Sequence, residues 1–266
     1  MKSMDMLYRI RECLEKWVRP KQLAGLIRFY LKCCAPILSR FFSADLNRLA
    51  TIHSTDKWNY HWYTQHYMRH FHALRKKNLN IIEIGVGGYD HPEKGGNSLR
   101  MWKYYFPNSI IYAIDIYEKS RLQEKRIKIF KGSQTDEQFI RCVFDKIGFL
   151  DIVIDDGSHK NADVIATFNM LFPLLNDGGI YVVEDTQTSY WPKEGGDSDN
   201  LNNPKTIMNF FKGLTDCLNY SEFIKPGYHP TYFDKNIVAV HFYHNLIFIL
   251  KGQNNEGSKT LNGDTG

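Results

Sequence analysis

The sequence predicts an α/β fold with a seven-stranded, mostly parallel sheet, an antiparallel terminal hairpin strand and a short helical N-terminal arm. Three observations predict it. Strand-like and helix-like segments alternate from residue 79 onward. Polar residues close most of the apolar runs, and two β-rich runs near the end meet at His244–Asn245. A chain of 266 residues can bury one such core.

The strands are short apolar runs that end in glycine or in polar residues. The run 79–85 is followed by a Gly-rich loop and a helix-like segment at 98–106. The further parallel strands are predicted at 109–115, 126–130, 149–155 and 179–185. The runs 236–243 and 245–252 predict the antiparallel hairpin at one edge of the sheet.

Two helices are predicted between the later strands. The spacing of Thr135 and Gln138 resembles a capping box, and Gly148 is typical of a helix end. A second helix is predicted over 161–175, before the glycines that precede the fifth strand.

The excess positive charge lies at the N-terminus. Residues 1–50 contain ten Lys and Arg against four Asp and Glu, while the whole chain has a net charge of +5. We therefore expect a basic helical arm (1–47), a catalytic domain (48–252) and a disordered tail (253–266). The apolar stretch 23–42 is too interrupted to span a bilayer, so we expect it to pack on its own domain, a partner subunit or an anionic membrane surface.

The composition indicates a cytoplasmic protein. The five cysteines form no C-x-x-C pair, and no cleavable signal pattern is present. The positive charge belongs to the arm, so no nucleic-acid partner is predicted. A homo-oligomer and a peripheral contact with the inner face of the membrane are compatible with the arm.

In an open parallel sheet, ligands bind at the carboxyl ends of the strands. A dinucleotide dehydrogenase would need G-x-G-x-x-G, but Asp90 stands where the third glycine should be. The E-x-G-x-G pattern and an acid closing the second strand instead resemble class I S-adenosylmethionine (SAM) methyltransferases. The residues predicted to bind this cofactor are Glu83, Gly85, Gly87, Asp115, Ser133, Gln134 and Asp155.

Three acids at the ends of the fourth and fifth strands predict a metal site. Asp156, Glu184 and Asp185 would converge, because these strands are neighbours in that fold, and such carboxylates would repel one another without a cation. Hard carboxylate oxygens suit Mg²⁺. His159, three residues after Asp156, is the candidate base that removes a proton from an alcohol. Asp155 either faces the cofactor or braces the turn.

Four longer stretches make a resemblance specific: "STDKWNYHWYTQHY", "GGNSLRMWKYYFP", "IDDGSHKNADV" and "GGIYVVEDTQTSYWP". Over about 48–250 they look like the Mg²⁺-dependent sugar O-methyltransferases of macrolide biosynthesis, the mycinamicin and demethylmacrocin type. The resemblance implies a Rossmann-like methyltransferase fold, with Asp156, Glu184 and Asp185 on the metal and His159 as base. It also implies that residues 55–57 and Tyr63 lie near the cofactor and acceptor.

The predicted function is SAM- and Mg²⁺-dependent methyl transfer to a sugar hydroxyl of a natural product, glycolipid or polysaccharide. The residues predicted to bind the acceptor are Asp56, Lys57, Tyr63, Tyr190 and Trp191, of which the last two either stack on a sugar ring or pack a lid. A catechol-type acceptor, a nicotinamide oxidoreductase and a non-enzymatic SAM-binding scaffold are the alternatives.

Overall fold

A computed structural model describes residues 29–258 of the chain. Its strands are β1 (Asn80–Ile84), β2 (Ile110–Asp115), β3 (Ile127–Lys131), β4 (Leu150–Asp155), β5 (Leu175–Glu184), β6 (Ile237–Tyr243) and β7 (Leu246–Lys251). Its α-helices are α1 (Ala35–Phe41), α2 (Leu46–His53), α3 (Thr64–Phe71), α4 (Asn97–Tyr105), α5 (Glu137–Ile147), α6 (Asn161–Leu171), α7 (Ile207–Cys217) and α8 (Tyr232–Asn236). A π-helix, Tyr30–Cys34, precedes α1.

The seven strands form one sheet in the order β3-β2-β1-β4-β5-β7-β6. The first five are parallel, whereas β7 is antiparallel to both β5 and β6. The predicted parallel sheet with an antiparallel terminal hairpin is confirmed. Because β1, β4 and β5 are neighbours, the residues that follow them lie at one edge of the sheet.

The chain divides into two compact units. Of the described residues, one unit contains 29–77 together with Gly96–Asn108, and the other contains Asn78–Gly95 and 109–258. Helices α1 to α4 therefore belong to the first unit, and the whole sheet belongs to the second. The three predicted functional regions, 1–47, 48–252 and 253–266, stay a prediction.

The first unit holds its helices together with buried aromatic rings. Tyr67 and Phe71 of α3 contact Trp102 of α4 at ring-centroid distances of 4.8 and 5.9 Å, and all three side chains are fully buried. Such aromatic contacts add to the free energy gained from burying apolar area.

The core of the second unit follows the period of its strands. Alternate residues of β1 and β5, such as Ile82, Ile84, Tyr181 and Val183, join one cluster with the buried faces of α5, α6 and α7. Phe168 of α6 contacts five other aromatic rings that belong to this cluster or pack against it. The β5 strand is buried over its last six residues, which places its final acid at a rigid position.

Two sequence predictions of local structure are wrong. Asp136, not Thr135, caps α5, because its carboxylate accepts the backbone N–H of Phe139 at 3.0 Å while the Thr135 hydroxyl bonds to Ser133. The second helix ends at Leu171 rather than at residue 175, because Pro173 cannot continue it and a 3₁₀ turn follows. The predicted helix end at Gly148 is confirmed.

The structure describes part of the predicted arm (1–47) and part of the predicted tail (253–266). The helical part of the arm is described from residue 29, and residues 1–28 and 259–266 lie outside the described residues. The Asn254 amide donates to the carbonyls of Cys217 and Asp234, so this part of the predicted tail packs on the second unit. Within residues 29–258, no helix is both long and apolar enough to cross a membrane.

Candidate functional site

A cluster of acids lies at the carboxyl ends of β4 and β5. Asp156 directly follows β4, Glu184 is the last residue of β5, and Asp185 comes next. The Asp156 backbone N–H donates to the carbonyl of Ile84 at 3.0 Å, which fixes this residue against the end of β1. The sheet therefore brings together the three residues that the sequence predicts as metal ligands.

Potential ligand atoms form two overlapping sets, and within each set all of the atoms lie within 4.8 Å of one another. One set is Asp156, His159 and Asp185, and the other is Glu83, Asp156 and Glu184. Asp156 belongs to both sets and is therefore the centre of the cluster. The sequence predicts Glu83 as a cofactor-binding residue alone. The adjacency of β1 to β4 in this fold is the signal that would have placed it beside the acids.

His159 lies between two of these carboxylates. Its Nε2 is 3.9 Å from an Asp156 oxygen and 3.7 Å from an Asp185 oxygen, and all three side chains are partly exposed. His159 and Asp185 have φ angles of +57° and +55°, which non-glycine residues adopt only rarely. Strained backbone of this kind concentrates at functional sites, so both side chains are held at a cost in conformational energy.

Gly85 allows the end of β1 to approach the acid cluster closely. Its φ is +96°, and a Cβ at this position would overlap the backbone carbonyl of Asp156. Gly157 is crowded in a different way, because a Cβ there would overlap the side-chain oxygen of Gln134 rather than backbone. Alanine at Gly85 would therefore move the loop that carries Asp156, whereas alanine at Gly157 would displace the Gln134 side chain.

Gln134 and Asp155 brace this loop from beneath. Gln134 accepts the backbone N–H of Ser158 at 2.8 Å, and its amide donates to Thr167 at 2.9 Å and to Asp155 at 3.4 Å. The Tyr181 hydroxyl donates to the other Asp155 oxygen at 3.3 Å. Burial raises the pKa of Asp155 to about 7, against the opposing effects of His159 and the Tyr181 hydrogen bond. Of the two roles left open for Asp155, its contacts favour bracing the turn.

Asp115 connects the ends of β1 and β2. One carboxylate oxygen accepts the backbone N–H of Val86 at 2.9 Å, and the other accepts that of Tyr117 at 2.8 Å. Gly87 has a φ of +75° with no atom within 4 Å of the position of a Cβ, so its backbone borders open space. Ser133 contacts the hydroxyl of Thr135 at 2.9 Å. Their predicted roles in cofactor binding stay predictions.

Three predicted acceptor residues lie in the first unit. Lys57 and Tyr63 are buried, whereas Asp56 is exposed. The Lys57 carbonyl accepts the backbone N–H groups of Tyr63 and Thr64, and the Tyr63 ring stacks on His61 at 4.7 Å. These contacts fix the local structure, and the predicted contact with an acceptor stays a prediction.

Tyr190 and Trp191 are exposed on the segment that follows the acids of β5. Asn161, a buried residue that the sequence analysis missed, anchors this segment. Its amide donates to the carbonyls of Thr188 and Glu194 at 3.0 and 2.9 Å, and its oxygen accepts the Ile207 N–H at 2.7 Å. An Asn at the start of a helix gives no sequence signal of such a role.

Comparisons with known proteins agree with this architecture. No family model matches the sequence. Over 215 residues the chain is 46% identical to mycinamicin VI 2''-O-methyltransferase from Micromonospora griseorubida, covering 80% of this chain and 54% of that protein. Over 207 residues it is 45% identical to 8-demethyl-8-alpha-L-rhamnosyl tetracenomycin-C 2'-O-methyltransferase from Streptomyces olivaceus, covering 77% and 54%.

A solved structure of the MycE methyltransferase from the mycinamycin pathway, in complex with Mg, SAH and mycinamycin VI, is also similar. It matches with a TM-score of 0.77 and 46% identity, over 80% of this chain and 55% of that one. The chain therefore has the fold of the Rossmann-like class I methyltransferases. It is a homologue of the mycinamicin-type sugar O-methyltransferases, and it spans about half the length of the relatives it matches.

Proposed function

We propose that this chain is a SAM- and Mg²⁺-dependent O-methyltransferase that acts on a sugar hydroxyl of a glycoside. The observation that carries the proposal is the position of Asp156 at the carboxyl ends of two adjacent strands of a methyltransferase fold, with ligand atoms of His159 and Asp185 close to it in one set and of Glu184 in a second. The similarity to enzymes whose names specify O-methylation supports the reaction type.

The donor set fits a magnesium ion. Asp156, Glu184 and Asp185 would hold it, since Mg²⁺ takes carboxylate oxygens and keeps several of its waters. When bound, Mg²⁺ supplies positive charge that compensates the converging carboxylates and lowers the pKa of an acceptor hydroxyl. Glu83 lies close enough to Asp156 and Glu184 to add its negative charge to theirs.

His159 would act as the general base. Its Nε2 faces the acid cluster, where a hydroxyl bound near these carboxylates would present its proton. Ser158 fixes the loop that carries His159. Its backbone N–H donates to the Gln134 side chain, and its hydroxyl donates to Asp163, both at 2.8 Å. The imidazole therefore needs little reorganisation before proton transfer.

The residues around β1 and β2 fit a SAM cofactor. The open backbone at Gly87 would let the ligand approach, and Asp115 would bind the ribose hydroxyls while it holds the Val86 N–H. When bound, SAM supplies a methyl group that its sulfonium already activates. Glu83, Gly85, Ser133, Gln134 and Asp155 complete the proposed cofactor side, the last two by holding the loop in place.

The acceptor would bind on the segment after β5, where Tyr190 and Trp191 offer exposed rings for stacking on a sugar. Asp56, Lys57 and Tyr63 are proposed as acceptor residues on the resemblance of the sequence alone. The acceptor class follows the relatives, whose names include a rhamnosyl glycoside.

Methyl transfer from labelled SAM to a panel of deoxysugar glycosides and to catechol tests the proposal. We expect label in glycosides and none in catechol. Label in catechol alone would contradict the sugar acceptor, and the absence of transfer to every acceptor, with SAH bound, would favour a scaffold.

We also propose that the arm makes a peripheral contact with an anionic membrane. Phe29, Ile37 and Phe41 are exposed, and residues 1–50 carry an excess of positive charge. The full chain should sediment with vesicles of phosphatidylserine and phosphatidylcholine but not with phosphatidylcholine alone. Phe41→Asp should weaken this binding, while Ile224→Asp, at an exposed position elsewhere, should not. Equal binding by both variants would contradict the contact.

We propose in addition that the protein is cytoplasmic and that it forms a homo-oligomer. Light scattering on the purified chain would measure the mass of the particle, and a monomeric mass at all concentrations would contradict the oligomer.

A further inference from the structure

Lys119 is a buried lysine on the connection between β2 and β3. Its residue is 1% exposed, and it lies four positions after Asp115. The ammonium donates to the carbonyl of His91 at 2.9 Å and to that of Lys94 at 3.0 Å. Within the described part of the chain, the ammonium thus binds two backbone carbonyls of one loop. Burying an ammonium costs free energy unless its protons are hydrogen-bonded. These two bonds therefore hold the Lys119 side chain and the loop at His91 and Lys94 in place.

The loop that Lys119 holds is the glycine-rich connection after β1. It extends from residue 86 to 95 and folds back on itself at two glycines. A Cβ at Gly88 would overlap Lys94, and a Cβ at Gly95 would overlap the carbonyls of Val86 and Gly87. The loop also has an outer contact, an exposed ion pair between Arg121 and Glu93 at 3.0 Å, which contributes little by itself.

Lys119 and Asp115 act on opposite ends of this loop. Asp115 accepts the N–H of Val86 at its start, and Lys119 binds the carbonyls of His91 and Lys94 near its end. Both residues belong to the segment that leaves β2. The connection that follows β1 and the segment that leaves β2 are therefore tied together at two points.

We propose that Lys119 is a positioning residue for the cofactor, which holds loop 86–95 closed in the conformation that binds SAM. The inference rests on the proposed function. Without the ammonium, the carbonyls of His91 and Lys94 lose their donor, and the loop samples open conformations. The cofactor must then pay the cost of ordering the loop when it binds.

Lys251 provides a matched control for the loss of a buried ammonium. It is 6% exposed, and it donates to the carbonyls of Pro173 and Leu175 at 3.0 and 2.5 Å. These carbonyls lie at the amino end of β5, whereas the acid cluster lies at its carboxyl end. Both lysines thus bind backbone carbonyls with a buried ammonium, but of the two only Lys119 lies on the side of the sheet where the cofactor is proposed to bind.

Isothermal titration of SAH into the full-length wild type, Lys119→Met and Lys251→Met tests the inference, together with the KM for SAM and kcat. We expect Lys119→Met to raise the Kd of SAH and the KM of SAM at least about tenfold, while kcat at saturating SAM changes less than about twofold. Lys251→Met should lower the melting temperature and leave the Kd of SAH within about twofold.

Lys119→Gln provides a second variant that keeps a neutral amide donor without the positive charge, and it should fall between wild type and Lys119→Met. It carries the test if Lys119→Met does not fold. An unchanged SAH affinity in the folded Lys119 variants, or an equal loss in Lys251→Met, would overturn the inference while the proposed function stands. A wild-type chain that does not bind SAH would overturn the proposed function itself.

Discussion

The two halves of the sheet edge are built from different groups, although both lie at the carboxyl ends of parallel strands. The half at β1 and β2 is made of glycine backbone, with Asp115 and Lys119 binding main-chain groups. The half at β4 and β5 is made of carboxylates and one imidazole, on strained backbone at His159 and Asp185. Under the proposed function, the first half would shape a surface for the cofactor, and the second half would supply the charged groups for the chemistry.

The largest effect should follow a change in the acid cluster. Asp156→Asn removes the acid shared by both sets of ligand atoms. A metal contributes several kcal/mol to stabilising the transition state, so kcat should fall about 10³-fold. Methyl transfer from labelled SAM measures this loss, and titration should show SAH affinity within about twofold of wild type. Asp145→Asn, an exposed acid on α5, is the control. A parallel loss of SAH binding would break the division between the two halves.

The next effect should follow removal of the imidazole. His159→Ala should lower kcat about 10²-fold near neutral pH, because the proton of the acceptor loses its base. The activity that remains should rise with pH, since hydroxide can replace the base. A pH profile of kcat measures this, and wild-type activity in the variant at neutral pH would show that His159 only supports the loop.

A smaller effect is expected on the cofactor half. Asp115→Asn should raise the Kd of SAH about tenfold, because a neutral amide binds hydroxyls and the Val86 N–H more weakly than a carboxylate does. The value of kcat at saturating SAM should stay near that of wild type. A loss of kcat without a change in Kd would assign Asp115 to the chemistry instead.

The smallest effects should be on stability, and they compare two glycines of the first loop. Gly87→Ala should cost about 1 kcal/mol, because its φ of +75° is unfavourable for alanine while space is open. Gly85→Ala should cost more, because a Cβ would also overlap the carbonyl of Asp156. Thermal unfolding of both variants measures the difference. Equal losses would mean that the end of β1 and the Asp156 loop are not in tight contact.

Much of the fold could be predicted because apolar runs and their polar ends identify parallel strands. Placing Asp156 beside Glu184 and Asp185 needed only the strand order of the resembled fold. The end of the second helix was missed although Pro173 stands inside the predicted range, and the cap of α5 was assigned one residue early. In both cases two neighbouring sequence signals compete: Thr135 and Asp136 are both typical helix caps, and Pro173 interrupts an apolar pattern that otherwise continues.

Other features could not be predicted because they depend on three-dimensional contacts. Lys119 and Asn161 bind backbone groups far away in the sequence, 25 to 28 residues for Lys119 and 27 to 46 residues for Asn161. Nothing in the sequence near either residue marks it as buried. The backbone strain at His159 likewise follows from how the loop meets the end of β1.

The central claim is that the converging carboxylates work through a divalent cation. The most direct measurement is methyl transfer from labelled SAM to a glycoside that the enzyme accepts, first with EDTA and then with added Mg²⁺. The account predicts that chelation abolishes transfer, that Mg²⁺ restores it, and that SAH binding is unaffected throughout. Transfer that continues undiminished in EDTA would contradict the metal mechanism.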